Sequence, residues 1–329
     1  MLDAMPHRGP NDRGVFTEGS SSLGHLRLSI LDLSSDGKQP MHDEHNEFTI
    51  VFNGEVFNYV ELREELRGLG HVFHTQTDTE VILAAYREWG SACVARFNGM
   101  WAFAILDRRT GAVFASRDRF GVKPFFYRET KGEILLASAM KAILAAANEK
   151  PAMNGAFLYQ YLDRAVPADP SETVFAGVRS LLPGHNLFIE QGSLRTERYW
   201  DFDLSRFRKS YDYTDPVATF RSLLVDAVRL RLRSDVPIGV CLSGGIDSSV
   251  IVGIISGILE RKVDVFSSVY AEEKYNEEEF LNAVLEKFPN TIHKITPTPE
   301  RFFPLLDEIV RHHDEPVRMP STFSQWNIF

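Results

Sequence analysis

The stretch VPIGVCLSGGIDSS, residues 236–249, decides the fold of the second half of the chain. Its apolar start, Val236–Leu242, predicts a buried strand, and two glycines then lead into a helix predicted over Ser248–Glu260. Outward from it, the spacing predicts helices over Pro216–Arg233, Glu277–Phe288 and Pro299–His312, and strands over Val263–Val269 and Thr291–Ile295. This alternation is typical of an α/β domain with a parallel sheet.

The loop Ser243–Ser249 carries the strongest chemical signal in this stretch. Glycines let the main chain turn tightly and approach a ligand, and the free N–H groups that open the next helix favour an anion. A Walker A loop would end in Gly-Lys-Ser or Gly-Lys-Thr, so the absence of lysine disfavours kinase-like transfer. The alternative is a glycine-rich turn without a ligand. We interpret Cys241 as a small buried hydrophobic residue of the strand.

The first half of the chain has a different pattern. Short apolar runs predict antiparallel strands over Phe48–Phe52, Met100–Leu106, Ala112–Ser116 and Ile134–Ala137. Amphipathic spacing predicts helices over Tyr59–Leu69 and Thr79–Trp89. The second helix is expected to start at Asp78 or Thr79, where a short oxygen-bearing side chain can accept from free amides. Runs of strands with few helices favour an α+β fold.

Four blocks in the first half stand in a particular order and spacing. They are HRGPNDRG (7–14), GHLRLSI (24–30), FNGEVFN (52–58) and RDRFGVKP (117–124). Together with the downstream loop, they resemble the glutamine-hydrolysing asparagine synthetases over nearly the whole chain. The resemblance implies an α+β N-terminal domain, an antiparallel αββα sandwich of the N-terminal nucleophile hydrolase type. It further implies an incomplete α/β ATP pyrophosphatase domain with a parallel sheet.

The resemblance implies a glutamine site made of five residues. Arg27 matches the residue that holds the α-carboxylate, a role suited to a forked cation. Asp78 and Glu55 match the residues around the α-amino group. The Asn53 side chain and the Gly54 main-chain amide match the oxyanion-hole donors, which stabilise the charge that develops during amide hydrolysis.

Each of these assignments has a purely structural alternative. Asn53-Gly54 after a strand is a common hairpin turn, Asp78 would serve as a helix cap, and Arg27 would be a surface residue of a strand. We interpret the block Arg117–Pro124 as a structural turn without a catalytic role.

In the second half, the resemblance implies an ATP site that splits the nucleotide between its α and β phosphates and activates a carboxylate as an acyl-adenylate. The implied ATP-binding residues are Leu242, Ser243, Gly244, Gly245, Asp247, Ser248, Ser249 and Ser268. Leu242 and Ser268 end neighbouring strands, where open sheets bind ligands. Asp247 either helps to hold Mg²⁺ with the pyrophosphate or caps its helix, and both interpretations remain open.

We predict an amidotransferase-like domain over residues 1–150, a connecting segment over 151–213 and the first part of the ATP pyrophosphatase domain over 214–329. The nucleophile of the family is an N-terminal cysteine whose own α-amino group acts as base. This chain begins Met1-Leu2, and Cys93 lies far from a free amine. We therefore expect both ends to be truncated relative to the family, and we expect this fragment to lack glutaminase activity.

Three functions remain open from the sequence. The first is asparagine synthesis, in which aspartate, glutamine and ATP give asparagine, glutamate, AMP and pyrophosphate. The second follows from the tail DEPVRMPSTFSQ (314–325), which resembles synthase-like amidotransferases that act on a sugar or another carboxylate in surface-polysaccharide biosynthesis. The third is a non-catalytic fragment that binds glutamine and ATP.

The composition limits the partners. A net charge of −9 and a pI near 5.6 provide no broad basic field, so we expect small-molecule substrates and no nucleic-acid or membrane partner. The most apolar stretch, Val250–Leu259, is about half as long as a membrane-spanning helix. Two cysteines exclude a disulfide framework and fit the cytoplasm. A homodimer is compatible with the sequence, which does not itself reveal the oligomeric state.

Overall fold

The structure, a computed structural model, describes residues 1–164, 167–205, 208, 214–272, 274, 276–317 and 320–329. The chain divides into two compact units, Met1–Phe207 and Arg208–Phe329. Most of the polar stretch 205–215 of the predicted connection lies outside the described residues, as do Arg318 and Met319 of the tail motif. No helix in the described ranges is both long enough and apolar enough to cross a membrane.

Antiparallel sheets dominate the first unit. Its strands are β1 (Asp12–Glu18), β2 (Ser21–Arg27), β3 (Met41–His42), β4 (Phe48–Val56), β5 (Gly99–Asp107), β6 (Val113–Arg117), β7 (Phe126–Thr130), β8 (Glu133–Ala137), β9 (Val178–Ser180), β10 (His185–Glu190) and β11 (Ser193–Arg198). Its helices are α1 (Tyr59–Gly68), α2 (Asp78–Trp89), α3 (Met140–Ala146) and α4 (Gly155–Arg164). The largest sheet has the order β11-β10-β6-β5-β4-β3, a second sheet has the order β8-β7-β9, and β1 pairs with β2.

The first unit is layered as helix, sheet, sheet and helix. One face of the largest sheet packs on α1 and α2, and the opposite face packs on β7 and β8. The outer face of the second sheet packs on α3 and α4. Successive residues of β5 alternate between the two faces, with Phe103 toward the helices and Ala102 and Ala104 toward the second sheet. This layering confirms the predicted αββα sandwich.

The second unit contains a parallel sheet with the order β12-β13-β14. The strands are β12 (Gly239–Cys241), β13 (Asp264–Ser268) and β14 (Thr291–Ile295). The helices are α5 (Pro216–Arg231), α6 (Ile246–Gly253), α7 (Glu278–Lys287), α8 (Phe302–His313) and α9 (Pro320–Ile328). A π-helical turn, Ile254–Ile258, continues α6. The predicted α/β pattern with a parallel sheet is confirmed.

Several local expectations differ from the structure. Residues 151–200, placed in the connecting segment, include α4 and three strands, of which β9 pairs with β7 and β10 with β6. Pro167, Pro170 and Pro183 lie in the loops of this region. Strand β1 was not predicted from the sequence, although Asp12–Glu18 pairs with β2 along its whole length.

The prediction that Cys241 is buried was wrong. Side chains alternate along β12, so Val240 joins the apolar clusters beneath the helices while Cys241 lies on the opposite face and is exposed. An apolar run alone cannot show that one face of a strand is left open. Cys93, in contrast, is fully buried, and burial raises the pKa of its thiol to about 12, which makes it a poor nucleophile.

Candidate functional site

A cavity of about 180 Å³ in the first unit is lined by all five residues of the predicted glutamine site. These are Arg27, Asn53, Gly54, Glu55 and Asp78. They come from the end of β2, the second half of β4 and the start of α2. A cavity of this volume has room for several water molecules, so it can admit a small polar ligand.

Arg27 is buried, with 7% of its surface exposed, so the surface-residue interpretation was wrong. Its Nη1 donates to the Ser34 carbonyl at 2.7 Å, and its Nη2 donates to the carbonyls of Leu31, at 3.4 Å, and Asp32. These bonds use three of the five guanidinium N–H groups. No described carboxylate forms an ion pair with Arg27. The buried cation is therefore held by main-chain oxygens, and the Asp32 carboxylate interacts with it electrostatically without forming an ion pair.

Asp78 is also buried, but it does not cap α2. The N-cap is Thr77, whose side chain accepts from the Glu80 amide, so the helix-cap interpretation of Asp78 was wrong. Asp78 Oδ2 instead accepts from the Val56 amide of β4 at 2.8 Å. Burial, together with the neighbouring Glu55 carboxyl, raises the pKa of Asp78 to about 7, against the lowering effect of main-chain hydrogen bonds. No described cation forms an ion pair with it.

Asn53 and Gly54 lie inside β4 and not in a hairpin turn. Gly54 is opposite Trp101 of β5, and its φ of 153° lies in a region that favours glycine. A Cβ at this position would overlap the Met100 carbonyl. The hairpin interpretation was therefore wrong, because long-range pairing with β5 overrides the local turn signal of Asn-Gly.

The free edge of β4 faces the cavity. β3 covers this edge only as far as Ile50. Beyond it, the Phe52 amide donates to Gln39 Oε1 at 2.6 Å, and the Val56 amide donates to Asp78. Because main-chain groups alternate between the two edges of a strand, the Gly54 N–H points the same way as those of Phe52 and Val56. In the described structure no protein group hydrogen-bonds to the Asn53 side chain, which leaves its amide to a ligand.

The cavity is also lined by residues that the sequence did not assign to the site, among them His25 and Lys123. His25 Nε2 hydrogen-bonds to the Phe52 carbonyl at 3.0 Å, and because a carbonyl only accepts, Nε2 carries the proton. Burial, together with the charge of Arg27, lowers the pKa of His25 to about 4, although the hydrogen bond to Phe52 acts to raise it. The ring is therefore neutral at pH 7. His25 lies two residues before Arg27 on the same strand, so the period of two was an available signal.

Lys123 belongs to the block Arg117–Pro124, which the sequence analysis treated as structural. The Asp118 carboxylate organises this block by accepting main-chain amides of Trp101, Val122 and Lys123 at 3.0–3.2 Å. Burial lowers the pKa of Lys123, while the Glu55 carboxyl raises it. Burial raises the pKa of Glu55, and Lys123 lowers it. The turn thus also brings a cation to the cavity wall beside Glu55.

The predicted phosphate loop connects β12 to α6. Gly244 has φ 83°, and a Cβ on it would lie 2.8 Å from the Phe280 Cβ of α7. Both the backbone conformation and the close approach of α7 therefore favour glycine at this position. Ser248 Oγ accepts from the Ser243 amide at 3.2 Å, and Ser249 Oγ donates to the Gly245 carbonyl at 2.7 Å. The hydroxyls therefore shape the loop, while the main-chain N–H groups of the first turn of α6 have no intrahelical acceptor.

Leu242 directly follows β12, and Ser268 ends the neighbouring strand β13. The Leu242 side chain is buried and its amide donates to the Phe266 carbonyl at 2.9 Å, so only its carbonyl is left to meet a ligand. Ser268 Oγ is a buried polar atom without a partner in the described structure. An orphaned hydroxyl at the carboxyl end of a parallel strand fits a polar ligand at this edge.

Asp247 is exposed in the first turn of α6, and its side chain does not cap the helix; the N-cap is Gly245. The cap interpretation was therefore wrong. Over the described residues, no cluster of three His, Cys, Asp or Glu side chains could hold a metal ion. A magnesium ion at this loop would thus depend on Asp247 together with oxygens of the nucleotide.

Comparisons with known proteins match both units. A glutamine amidotransferase domain family matches residues 1–200, and an asparagine synthase family matches residues 219–329. The chain is 36% identical over 332 residues to asparagine synthetase (glutamine-hydrolysing) 3 of Bacillus subtilis strain 168, covering 96% of this chain and 54% of the relative. It is 36% identical over 349 residues to putative asparagine synthetase (glutamine-hydrolysing) 2 of Methanocaldococcus jannaschii, covering 100% of this chain and 67% of the relative.

A third relative, asparagine synthetase (glutamine-hydrolysing) 1 of Bacillus subtilis strain 168, is 33% identical over 323 residues, covering 98% of this chain and 50% of its own length. The chain thus spans between half and two thirds of the length of these curated relatives.

Proposed function

Because this chain belongs to the asparagine synthase family of glutamine amidotransferases, we propose that its first unit binds free glutamine and its second unit binds ATP, for glutamine-dependent amide synthesis. The proposed acceptor is aspartate, activated as β-aspartyl-AMP with release of pyrophosphate. The relatives named as glutamine-hydrolysing asparagine synthetases support this choice of acceptor.

One observation carries the glutamine assignment. Arg27 is a buried cation and Asp78 is a buried acid, both line one cavity, and neither forms an ion pair among the described contacts. Buried charges are costly unless they are paired. A zwitterionic amino acid would supply both missing counter-charges at once, its carboxylate to Arg27 and its ammonium to Asp78.

The other cavity residues fit the remainder of glutamine. Glu55 adds a second acid near Asp78, beside Lys123. The Gly54 N–H and the Asn53 side chain are donors without protein acceptors among the described contacts, and they would hold the side-chain carbonyl oxygen. Donors held in place before the reaction stabilise the oxyanion that forms when the amide is attacked.

In the second unit, we assign the β and γ phosphates of ATP to the main-chain N–H groups of the loop Ser243–Ser249. Free amides and the positive end of the helix dipole of α6 favour an anion there. Ser268 would meet the nucleotide through its unpartnered hydroxyl. Magnesium bound to the phosphates would be held by Asp247 in this proposal.

Titration calorimetry of glutamine into the 329-residue chain tests the first assignment. Arg27→Lys keeps the charge but loses the forked donors, so we expect glutamine binding to weaken about thirtyfold, or about 2 kcal/mol. The matched control is Arg164→Lys, because Arg164 is exposed at the end of α4. Failure of the unsubstituted chain to bind glutamine would refute the assignment, as would equal affinities of the Arg27→Lys and Arg164→Lys variants.

A further inference from the structure

The loop that follows β2 encloses the Arg27 guanidinium from three sides. Its carbonyls at Leu31, Asp32 and Ser34 accept the guanidinium N–H groups. Gly37 closes the ring, because a Cβ at this position would overlap Nη2. The position of the guanidinium is therefore set by this loop and not by a paired carboxylate.

Asp32 links this loop to a second one. Its carboxylate Oδ2 accepts the main-chain amide of Gln76 at 2.8 Å, across a separation of 44 residues. Its other oxygen, Oδ1, accepts the amide of Ser34 at 3.2 Å and the hydroxyl of Ser34 at 2.5 Å. Burial acts to raise the pKa of Asp32, but the hydrogen bonds from Ser34 and Gln76 outweigh it and lower the pKa, so the acid is ionised at neutral pH.

Gln76 lies directly before the start of α2. Thr77 caps this helix, and Asp78 is its first residue. The loop before the cap is also held by Arg63, which donates to Gln76 Oε1 at 2.9 Å and to the Thr77 carbonyl at 2.8 Å. A single residue, Asp32, thus contacts Arg27 through its carbonyl and the segment carrying Asp78 through its carboxylate.

We propose that Asp32 is a positioning residue that fixes the separation between Arg27 and Asp78, and so selects ligands that carry both an α-carboxylate and an α-ammonium. This inference rests on the proposed glutamine site. The main chain at Asp32 has φ 52°, a left-handed conformation that Asp and Asn tolerate better than other non-glycine residues. An aspartate at position 32 therefore suits both the left-handed turn and the hydrogen bond from its carboxylate to the second loop.

Preorganisation of two charged groups should matter only to a ligand that engages both. A ligand with one charged group contacts only Arg27 or only Asp78. Its binding free energy therefore changes little when the distance between these two residues changes. Glutamine, 4-carbamoylbutanoate, which lacks the amine, and 4-aminobutanamide, which lacks the carboxylate, form a matched set for this comparison.

The test is titration of these three ligands into the unsubstituted chain, Asp32→Asn and Asp36→Asn. Asp32→Asn keeps the left-handed turn but replaces the charged acceptor that joins the two loops. We expect it to weaken glutamine binding about tenfold and each one-charge ligand less than about twofold. Asp36→Asn is the control, because Asp36 is an exposed acid of the same loop, and it should leave all three affinities unchanged.

A second variant, Ser34→Ala, separates the local turn from the link. It removes the hydroxyl bond to Asp32 Oδ1 and leaves the Gln76 bond in place, so the preference for glutamine over the one-charge ligands should persist. The positioning role is overturned if the Asp32→Asn variant binds all three ligands as tightly as the unsubstituted chain does. It is also overturned if the substitution lowers the affinities for all three ligands equally. An unsubstituted chain that binds no glutamine would instead overturn the proposed function itself.

Discussion

Arg27 and Asp78 show how individual buried charged residues can indicate a ligand-binding site. Each is buried, and each makes only main-chain hydrogen bonds among the described contacts. Structural ion pairs in this chain look different, since the half-buried Arg87 lies against both Asp43 and Glu47. Arg63, Asp118 and Arg128 are also buried without an ion pair among the described contacts, but they do not line the cavity. Arg27 and Asp78 differ from them because their opposite charges line the same cavity, where a ligand can reach both.

We predict that glutamine affinity rises with pH from about 5.5 and levels off above the Asp78 pKa of about 7. The ammonium of the ligand needs the ionised carboxylate, so binding below pH 7 must release the proton of Asp78. The expected slope is about tenfold per pH unit below 7. Calorimetry at pH 6 in buffers of different ionisation enthalpy measures the released proton. An affinity that does not change between pH 5.5 and 8 would contradict the role of Asp78.

The same pKa has a consequence for the ligand-free chain. The folded state holds the proton of Asp78 more tightly than the unfolded state, whose pKa is near 3.8. The stabilising effect is therefore present below pH 4 and is lost as pH rises through 7. Asp78→Asn should stabilise the ligand-free chain at pH 8 by about 2 kcal/mol while weakening glutamine binding. Urea unfolding at pH 5 and pH 8 measures the difference.

At the scale of elements, β4 decides the shape of the cavity. One edge of this strand pairs with β5 from Phe48 to Val56, while the other is covered by β3 only at its start. The uncovered part offers main-chain groups to Gln39, His25 and Asp78. The local sequence Asn53-Gly54 predicts a turn, yet the long pairing with β5 holds it extended.

We predict that Gly54→Ala destabilises the chain far more than Gly111→Ala. Gly111 is a matched control, because it has a positive φ of 74° in the turn between β5 and β6 but open space around its Cβ position. Strain alone should cost about 1 kcal/mol at Gly111, and overlap with β5 should bring the cost at Gly54 to about 3 kcal/mol or more. Urea unfolding compares the two variants, and equal losses would show that β5 does not crowd Gly54.

At the scale of the whole molecule, each unit has its own apolar core. Ile50, Trp101 and Phe103 belong to a cluster of the first unit, while Val252 and Val265 belong to a cluster of the second. The two proposed ligands bind to different units, so their effects on stability should respond to different substitutions.

We predict that glutamine and ATP stabilise the chain separably. A ligand at 100 times its Kd stabilises the folded state by about 2.7 kcal/mol. Arg27→Lys should reduce the stabilisation by glutamine and leave the stabilisation by ATP unchanged. Ser248→Ala should reduce the stabilisation by ATP and leave the stabilisation by glutamine unchanged, because the Ser248 hydroxyl accepts the Ser243 amide of the phosphate loop. Differential scanning calorimetry with each ligand measures both effects. Loss of both stabilisations in either variant would argue against two separate sites.

The sequence by itself determined the class of both units and the five residues that meet in the cavity. Periodicity predicted seven of the fourteen described strands and six of the nine described α-helices, most of them to within three residues, because it reflects which side of each element is buried. The family resemblance implied that Arg27, Asn53, Gly54, Glu55 and Asp78 form one group.

Only the tertiary structure decided what these residues contact. It replaced the turn at Asn53-Gly54 with a strand, moved the cap from Asp78 to Thr77, exposed Cys241 and joined residues 151–200 to the first-unit sheets. It also brought Lys123 beside Glu55, and Asp32 to the Gln76 amide. These outcomes depend on contacts with residues that are distant along the chain. Packing against those residues outweighs the local conformational preference of a segment, so local sequence patterns do not predict the outcomes.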